Sequence, residues 1–557
     1  MKCKNSESIA LGISVIVIAL VAGFPFLMPG IGGDIWDLNY HLLRIASVKE
    51  ALASGVFPPR INPIYFDGYG YGSSLFYPDV FMVLPAVLYG CGLSLLVSYK
   101  IFLLLVMVAG TLTTYYCMKF FTKQWQPALV GTYVLMLSTY YLADINNRAG
   151  IGEYIAIMLV PVLLIGIYDY FALEGKRSWC IGVSLGGMLL CHTIMAFLGI
   201  LITIGIFVIC LLLPETRKMV FEKTRFRKLL VTALCTLGVV SFYIFPMIEQ
   251  MAHDHFWYET PWANAGDYTQ SLKSLIMPVG VFLNTATFGV GIPVLALIIC
   301  RTAMGKVKNK WAEGAFVLGV LLFLSTTKLV PWRILDNTPL NMIQFTYRLF
   351  PYAFVILVFG IMTMLAEKIT MKWTKPLLVV VMVLTMVCGI WQNTYCYRFG
   401  DRYPMNDAYV LANNHYVGKG EWVPEGVTQQ VFNGEGESVV ITAMGEELPW
   451  IVEGYNCYSF QPTGETLYVL PLLYYKGYEA TMETADGKLE LPVEKSLEGL
   501  AQIQTEEIPL PDAVTVHYAG TMVQKVSNLA SLFTMLIIIV FLVTKRWPNR
   551  NKAQSVE

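Results

Sequence analysis

Apolar runs of about twenty residues recur along this chain, and nothing else in it constrains the fold so strongly. An α-helix rises about 1.5 Å per residue, so roughly 20 residues span the ~30 Å hydrocarbon core of a bilayer. Such runs fall at about 9–29, 126–143, 153–171, 229–247, 281–300, 312–330, 347–366, 376–394 and 526–544. The stretch 179–213 is too long for one crossing and reads as two, with its turn near His192. Residues 97–118 add a crossing, and 76–91 read as an interfacial or re-entrant helix that breaks at Gly90–Gly92. Composition agrees: 56% of the 557 residues are hydrophobic and 14% charged, where a soluble chain carries about 25% charged. A water-soluble enzyme is excluded. With Lys+Arg 39 against Asp+Glu 39, the net charge of +0 offers no footprint for nucleic acid.

The expected fold is a polytopic α-helical membrane protein of roughly twelve spans. Its orientation follows from the basic loops, which are expected on the cytoplasmic side: Lys119 and Lys123, Lys176 and Arg177, Arg217–Lys228, Arg301–Lys310, Lys368–Lys375, and the tail Lys545–Lys552. The start lacks an A-x-A cleavage site and reads as a retained first helix. Three regions are expected: a membrane domain over 1–394 with its first outer loop at 30–75, a β-rich extracytoplasmic domain over 395–525, and a final helix with a basic tail over 526–557. In 395–525, Gln430–Phe432, Ser438–Thr442, Leu467–Leu470 and Ala513–Tyr518 read as strands of a small β-sandwich. Most of the 11 cysteines lie in apolar runs and no pair has C-x-x-C spacing; whether Cys396 and Cys457 pair is left open.

Ionisable residues gather on the outer side. The first loop reads G-G-D-I-W-D-L-N-Y-H-L-L-R, and on a helix Asp34, Asp37, His41 and Arg44 fall on one stripe. Such a stripe is ordinarily the solvated face of an interfacial helix; turned inward, it is a set of acids with a base and a cation. Arg60 closes G-V-F-P-P-R, and Tyr69 and Tyr71 sit in an aromatic loop that suits stacking on sugars and equally an interface belt. The glycines there make no nucleotide fingerprint. Arg148 and Glu153 lie where one helix leaves the membrane and the next enters, and snorkelling is the default for a lone arginine. His192 lies at an outer turn, and Gln344 and Arg348 at the mouth of a helix, where a guanidinium can grip a phosphate. H-D-H at 253–255 would place adjacent metal ligands on a loop, a poor preformed site.

Several ordered fragments resemble one family: D-L-N-Y-H-L-L-R-I, G-V-F-P-P-R, G-Y-G-Y-G with F-Y-P, N-R-A-G-I-G-E-Y, L-L-C-H-T, P-W-R-I-L with I-Q-F-T-Y-R, and G-K-G-E-W-V-P-E-G at 418–426. They are similar to the bacterial membrane proteins labelled 6-pyruvoyl-tetrahydropterin synthase-related, relatives of the YfhO-like group within the GT-C glycosyltransferases. Nothing in the chain supplies the three-histidine zinc site of the soluble tetrahydropterin synthases, so pterin chemistry is set aside. The resemblance implies a GT-C-like enzyme of the bacterial plasma membrane. It would move a sugar from a polyprenyl-phosphate donor, with inversion, to an extracytoplasmic cell-wall polymer or surface glycan. The D-x-x-x-H pattern falls on Asp37 and His41, with Asp34 as second choice. Donor phosphate would meet Arg148 and Arg348, with Arg44 and Arg60 behind them; Glu153, His192, Gln344, Tyr69, Tyr71 and Glu421 would contact substrate. The family's Q-F-P-W-R is here Gln344, Phe345, Thr346, Tyr347 and Arg348. No cofactor is expected, although a divalent metal is compatible with the chemistry. The rival readings are a lipid-linked-sugar flippase, which predicts polar pairs near the midplane, and a non-enzymatic envelope scaffold.

Overall fold

The computed structural model describes residues 2–27, 31–32, 37–257, 263–277, 280–281, 287–399, 402–403, 405–415, 417, 420–484, 487–504 and 512–554. Among these, eight helices are long and apolar enough to cross a membrane. They become nine if Trp125–Met136 and Thr139–Arg148, bent by 43°, form one span. The remaining expected crossings are occupied by shorter helices, Trp179–Leu189, Ile292–Ala303 and Lys310–Ser325. Residues 83–90 form a helix of only 8 residues, too short to cross, as the interfacial reading of 76–91 requires.

Local chemistry explains the boundaries. Ser94 caps Leu95–Thr122 by accepting from Val97 N–H (3.3 Å), and Lys123 ends it in the left-handed region. Asn309 caps Lys310–Ser325 through the N–H groups of Trp311 and Ala312. The stretch 179–213 breaks where expected: His192 is extended, and its Nδ1 accepts from Met195 N–H (3.2 Å), starting Thr193–Leu212.

The chain divides into two compact units that do not follow the sequence boundaries. The first comprises 1–41, 93–229 and 260–407; the second comprises 42–92, 230–259 and 408–557. Most of the first loop therefore belongs with the C-terminal region rather than with the membrane domain expected over 1–394. The first unit is built around Phe350–Glu367, buried from Phe350 through Ala366, as a helix apolar on all sides should be.

The second unit holds ten strands: β1 (Val439–Thr442), β2 (Glu447–Pro449), β3 (Ile451–Gly454), β4 (Cys457–Phe460), β5 (Leu467–Leu473), β6 (Tyr478–Thr484), β7 (Gly487–Leu491), β8 (Val493–Lys495), β9 (Leu500–Gln504) and β10 (Val514–Tyr518). They form two five-stranded antiparallel sheets, ordered β7-β6-β10-β4-β3 and β8-β9-β5-β1-β2. One face of each sheet is apolar and buried: Ala480, Met482, Val514 and Val516 in the first, Tyr468, Leu470 and Leu472 in the second. Gln430–Phe432, expected as a strand, is instead part of a single helical turn, Gln429–Phe432. Thr428 caps that turn by accepting from Val431 N–H, a local bond that outcompetes the alternating pattern. Cys457 carries a free thiol; the Cys396 side chain lies outside the described residues. In the same unit Ser241 and Ser531 hydroxyls lie 3.0 Å apart between Lys223–His253 and Met522–Gln554, a small-residue contact that lets the helices approach closely.

Candidate functional site

The first unit gathers ionisable side chains at one end of its helix bundle. Thr139–Ala143 continues into a π-helical turn, Asp144–Arg148, which ends when Ala149 enters the left-handed region (φ 55°). Gly150 follows because a Cβ there would lie 2.5 Å from Asp144 Oδ1. Asn146 Nδ2 donates to Asn393 Oδ1 (2.7 Å) and Gln392 Nε2 to Thr139 O (2.7 Å), pinning the segment to Thr374–Phe399. The wide turn presents Arg148 to three carboxylates: Glu153 (2.6 Å), Asp37 (3.3 Å) and Asp144 (3.6 Å).

Glu153 is the hub. It is fully buried in the first turn of Ile151–Ala172, and Tyr140 donates its hydroxyl to Oε1. Around Oε2 stand Arg148 (2.6 Å), Arg348 Nε (3.7 Å) and His192 Nε2 (3.8 Å). Arg348 is anchored by Nη1 donating to Ile343 O (2.8 Å) and Gln344 Oε1 (2.7 Å), with its guanidinium over Phe345. Among the described residues its buried Nε has no hydrogen-bond acceptor, Glu153 Oε2 standing 3.7 Å away. Burial holds the His192 imidazole down to about 3, so it is neutral near pH 7. Because Nδ1 accepts from Met195, the proton sits on Nε2, facing Glu153. Thr346 ties the mouth of this helix, its one hydroxyl proton shared between Tyr268 O (2.7 Å) and Thr326 O (3.0 Å).

Asp37 is the carboxylate of the cluster that solvent reaches, with a side chain 37% exposed. It lies just before Leu38–Ala53, not within it: His41 N–H donates to its carbonyl (3.0 Å), and its own N–H donates to Arg148 O (3.0 Å). The single helical stripe expected from Asp34 to Arg44 is thus interrupted, and Asp34 lies outside the described residues. Surrounding protein pushes the Asp37 carboxyl above its ordinary value, while Arg148 and Arg348 pull it back.

Three carboxylates face two guanidiniums here. The helices beginning at Ile151, Thr193 and Phe350 also start at the cluster. Each N-terminus contributes roughly +0.5 of partial charge. Among the described residues no three His, Cys, Asp or Glu side chains are grouped to hold a metal ion. Asp254 of H-D-H is instead paired with Lys495 (2.6 Å).

Of the other expected site residues, His41 closes the first stretch of the first unit and the rest lie in the second unit. Arg44 is buried, with Nη2 2.7 Å from Asp79 Oδ1, a bond to Pro78 O (2.9 Å) and Tyr77 under its guanidinium. Arg60 donates to Phe242 O (2.8 Å) and Asn528 Oδ1 (2.9 Å), joining its loop to two helices. Both guanidiniums are committed to structure, because a buried cation must be paired. Tyr71 is fully buried against Tyr65 and Phe66, and Tyr69 donates to Glu437 O (2.6 Å), so both are packing residues. Glu421 stands on a turn beside Trp422, which stacks on Phe76. His41 is buried. The residues that sequence reasoning missed are Asp144 and Tyr140. Asp144 carried a signal, an acid inside an apolar run four residues before Arg148.

The profile of the 6-pyruvoyl-tetrahydropterin synthase related domain, a membrane-protein family, matches residues 76–396. No protein with a curated description matches the sequence. Among solved structures, the arabinofuranosyltransferase AftD from Mycobacteria is similar at 11% identity and a TM-score of 0.45, over 71% of this chain and 27% of that one. The Archaeoglobus fulgidus oligosaccharyltransferase in its apo form is similar at 9% identity and a TM-score of 0.42, over 71% of this chain and 56% of that one. The chain thus spans about a quarter to just over half the length of these structures.

Proposed function

The chain belongs to the 6-pyruvoyl-tetrahydropterin synthase related family of membrane proteins, and from that premise we propose that it is a glycosyltransferase. It takes a sugar from a polyprenyl-phosphate carrier at the outer face of a bacterial plasma membrane and passes it, with inversion, to an extracytoplasmic glycan or cell-wall polymer. The observation that carries the reading is a solvent-reached carboxylate, Asp37, set 3.3 Å from a guanidinium at a cluster where three helices begin.

An acceptor hydroxyl attacks the anomeric carbon as its proton passes to Asp37, and polyprenyl phosphate leaves from the opposite face of the sugar. A positioned base contributes about 10²–10⁴-fold, and a pKa raised towards neutrality strengthens it. The leaving phosphate draws on Arg348, whose Nε–H has no acceptor among the described residues, on Arg148, and on the helix N-termini. It shares both guanidiniums with Glu153, which holds them in place before the donor arrives. The placement of the cluster at helix ends, rather than midway along them, favours an enzyme over a flippase.

Purified protein is incubated with a panel of polyprenyl-phosphate sugars and an acceptor, and release of polyprenyl phosphate is followed. Release is expected from wild type and to drop about 10²–10⁴-fold in Asp37→Asn, with folding intact because the side chain is partly exposed. Equal release from Asp37→Asn removes Asp37 as the base, and no release from any donor removes the transferase reading.

A further inference from the structure

The second unit contains an open cleft of about 460 Å³ that the proposed reaction does not use. Its size falls within the ~300–1,000 Å³ of small-ligand sites. Its walls are the end of Leu38–Ala53, which supplies Lys49 and Glu50, the turn at Asp67, and the β3–β4 hairpin with Trp450, Tyr455 and Tyr458. β3 is the edge of its sheet, paired only with β4, so the hairpin borders the cleft with no further strand beside it.

Aromatic rings and unused polar groups meet here. Half-buried Trp450 stacks on Tyr458 at 4.9 Å and 16°, a flat platform beside the opening. The Tyr458 hydroxyl is buried and has no hydrogen-bond partner among the described residues, although a buried phenol normally finds one. Half-buried Glu50 makes no side-chain hydrogen bond or ion pair among the described residues, and nor does Lys49. Asp67 is held in place: Asn414 Nδ2 donates to Oδ1 (2.8 Å), while Asp67 N–H donates to Asn414 Oδ1 (3.2 Å).

We propose that this cleft binds an uncharged saccharide unit of a glycan, with a C–H face of the ring on Trp450 and its hydroxyls on Glu50, Asp67 and Lys49. Carboxylates accept sugar hydroxyls, an ammonium donates to them, and an aromatic face covers the apolar side of the ring. With one lysine against two carboxylates, the cleft repels phosphodiester polymers. Binding here does not depend on the transferase reading, because none of these residues is assigned a part in the transfer.

The full chain, purified in a detergent without a sugar headgroup, is applied to an array of uncharged oligosaccharides of glucose, galactose, mannose and N-acetylglucosamine, with polyglycerol phosphate and an extended peptide alongside. At least one uncharged oligosaccharide is expected to bind. Affinity should fall at least tenfold in Trp450→Ala and in Glu50→Gln, and not at all in Asp37→Asn. Glu50→Gln guards against misfolding, since its side chain holds no structural bond. Failure of every uncharged oligosaccharide to bind, unchanged binding by Glu50→Gln, or binding confined to the polyanion or the peptide overturns the proposal. An inactive Asp37→Asn that still binds, or an active wild type that does not, separates this site from the transfer reaction.

Discussion

Glu153→Gln tests how the cluster is held together. The wild-type carboxylate is fully buried, accepts from Tyr140, and faces Arg148 at 2.6 Å and Arg348 at 3.7 Å. Gln keeps the shape and an acceptor for Tyr140 but removes the charge. Removing one partner of a buried ion pair costs about 3–5 kcal/mol, because the other charge is left uncompensated. Arg148 retains Asp37 and Asp144, whereas Arg348 keeps only the neutral acceptors Ile343 O and Gln344 Oε1. The low end, about 3 kcal/mol, is therefore expected, a factor of about 150 in the ratio of folded to unfolded protein. Denaturant unfolding in mixed micelles would measure it for Glu153→Gln, Arg348→Gln and the double variant. Their coupling should be at least about 1 kcal/mol, as for residues sharing one network. Additive effects, or a Glu153→Gln within about 0.5 kcal/mol of wild type, would refute the argument.

Three further outcomes follow from named contacts. His192 is held down to about 3 against an ordinary 6.5, so between these values it takes a proton only when unfolded. The stability it contributes is present above pH 6.5 and drains as the pH falls towards 3; His192→Asn, which keeps the cap, should lose less on acidification, and parallel pH–stability curves would contradict this. Arg44→Met leaves Asp79 buried and unpaired and should cost about 3–5 kcal/mol by denaturant unfolding, a loss that a solvated surface arginine would not show. Gly150→Ala pushes a Cβ to 2.5 Å from Asp144 Oδ1 and should cost about 1–3 kcal/mol as the carboxylate shifts, read by unfolding alongside the release assay; a neutral change would mean the turn is slack.

The membrane class, the places of most crossings and the break at His192 were legible in the chain, because they depend on local composition and on caps a few residues away. The place of Arg148 and Glu153 at a helix junction was legible too, but their pairing was not: on sequence alone one was assigned to phosphate and the other to substrate. Arg44 and Arg60 stood behind Arg148 and Arg348 as phosphate candidates on paper, but in the same role. Their fates differ because distant groups reach them: Asp79 and Asn528 claim the first two, while Glu153 and Gln344 hold the others at the cluster. Tyr69 and Tyr71 likewise looked like open aromatics until packing buried them. Asp144 entered the site through a π-helical turn that no periodic pattern announces. Sequence by itself determined which segments leave water, since burial of apolar surface is additive along the chain. Only the tertiary structure decided which charge meets which, because a buried ion pair is a relation between residues as far apart in sequence as Glu153 and Arg348.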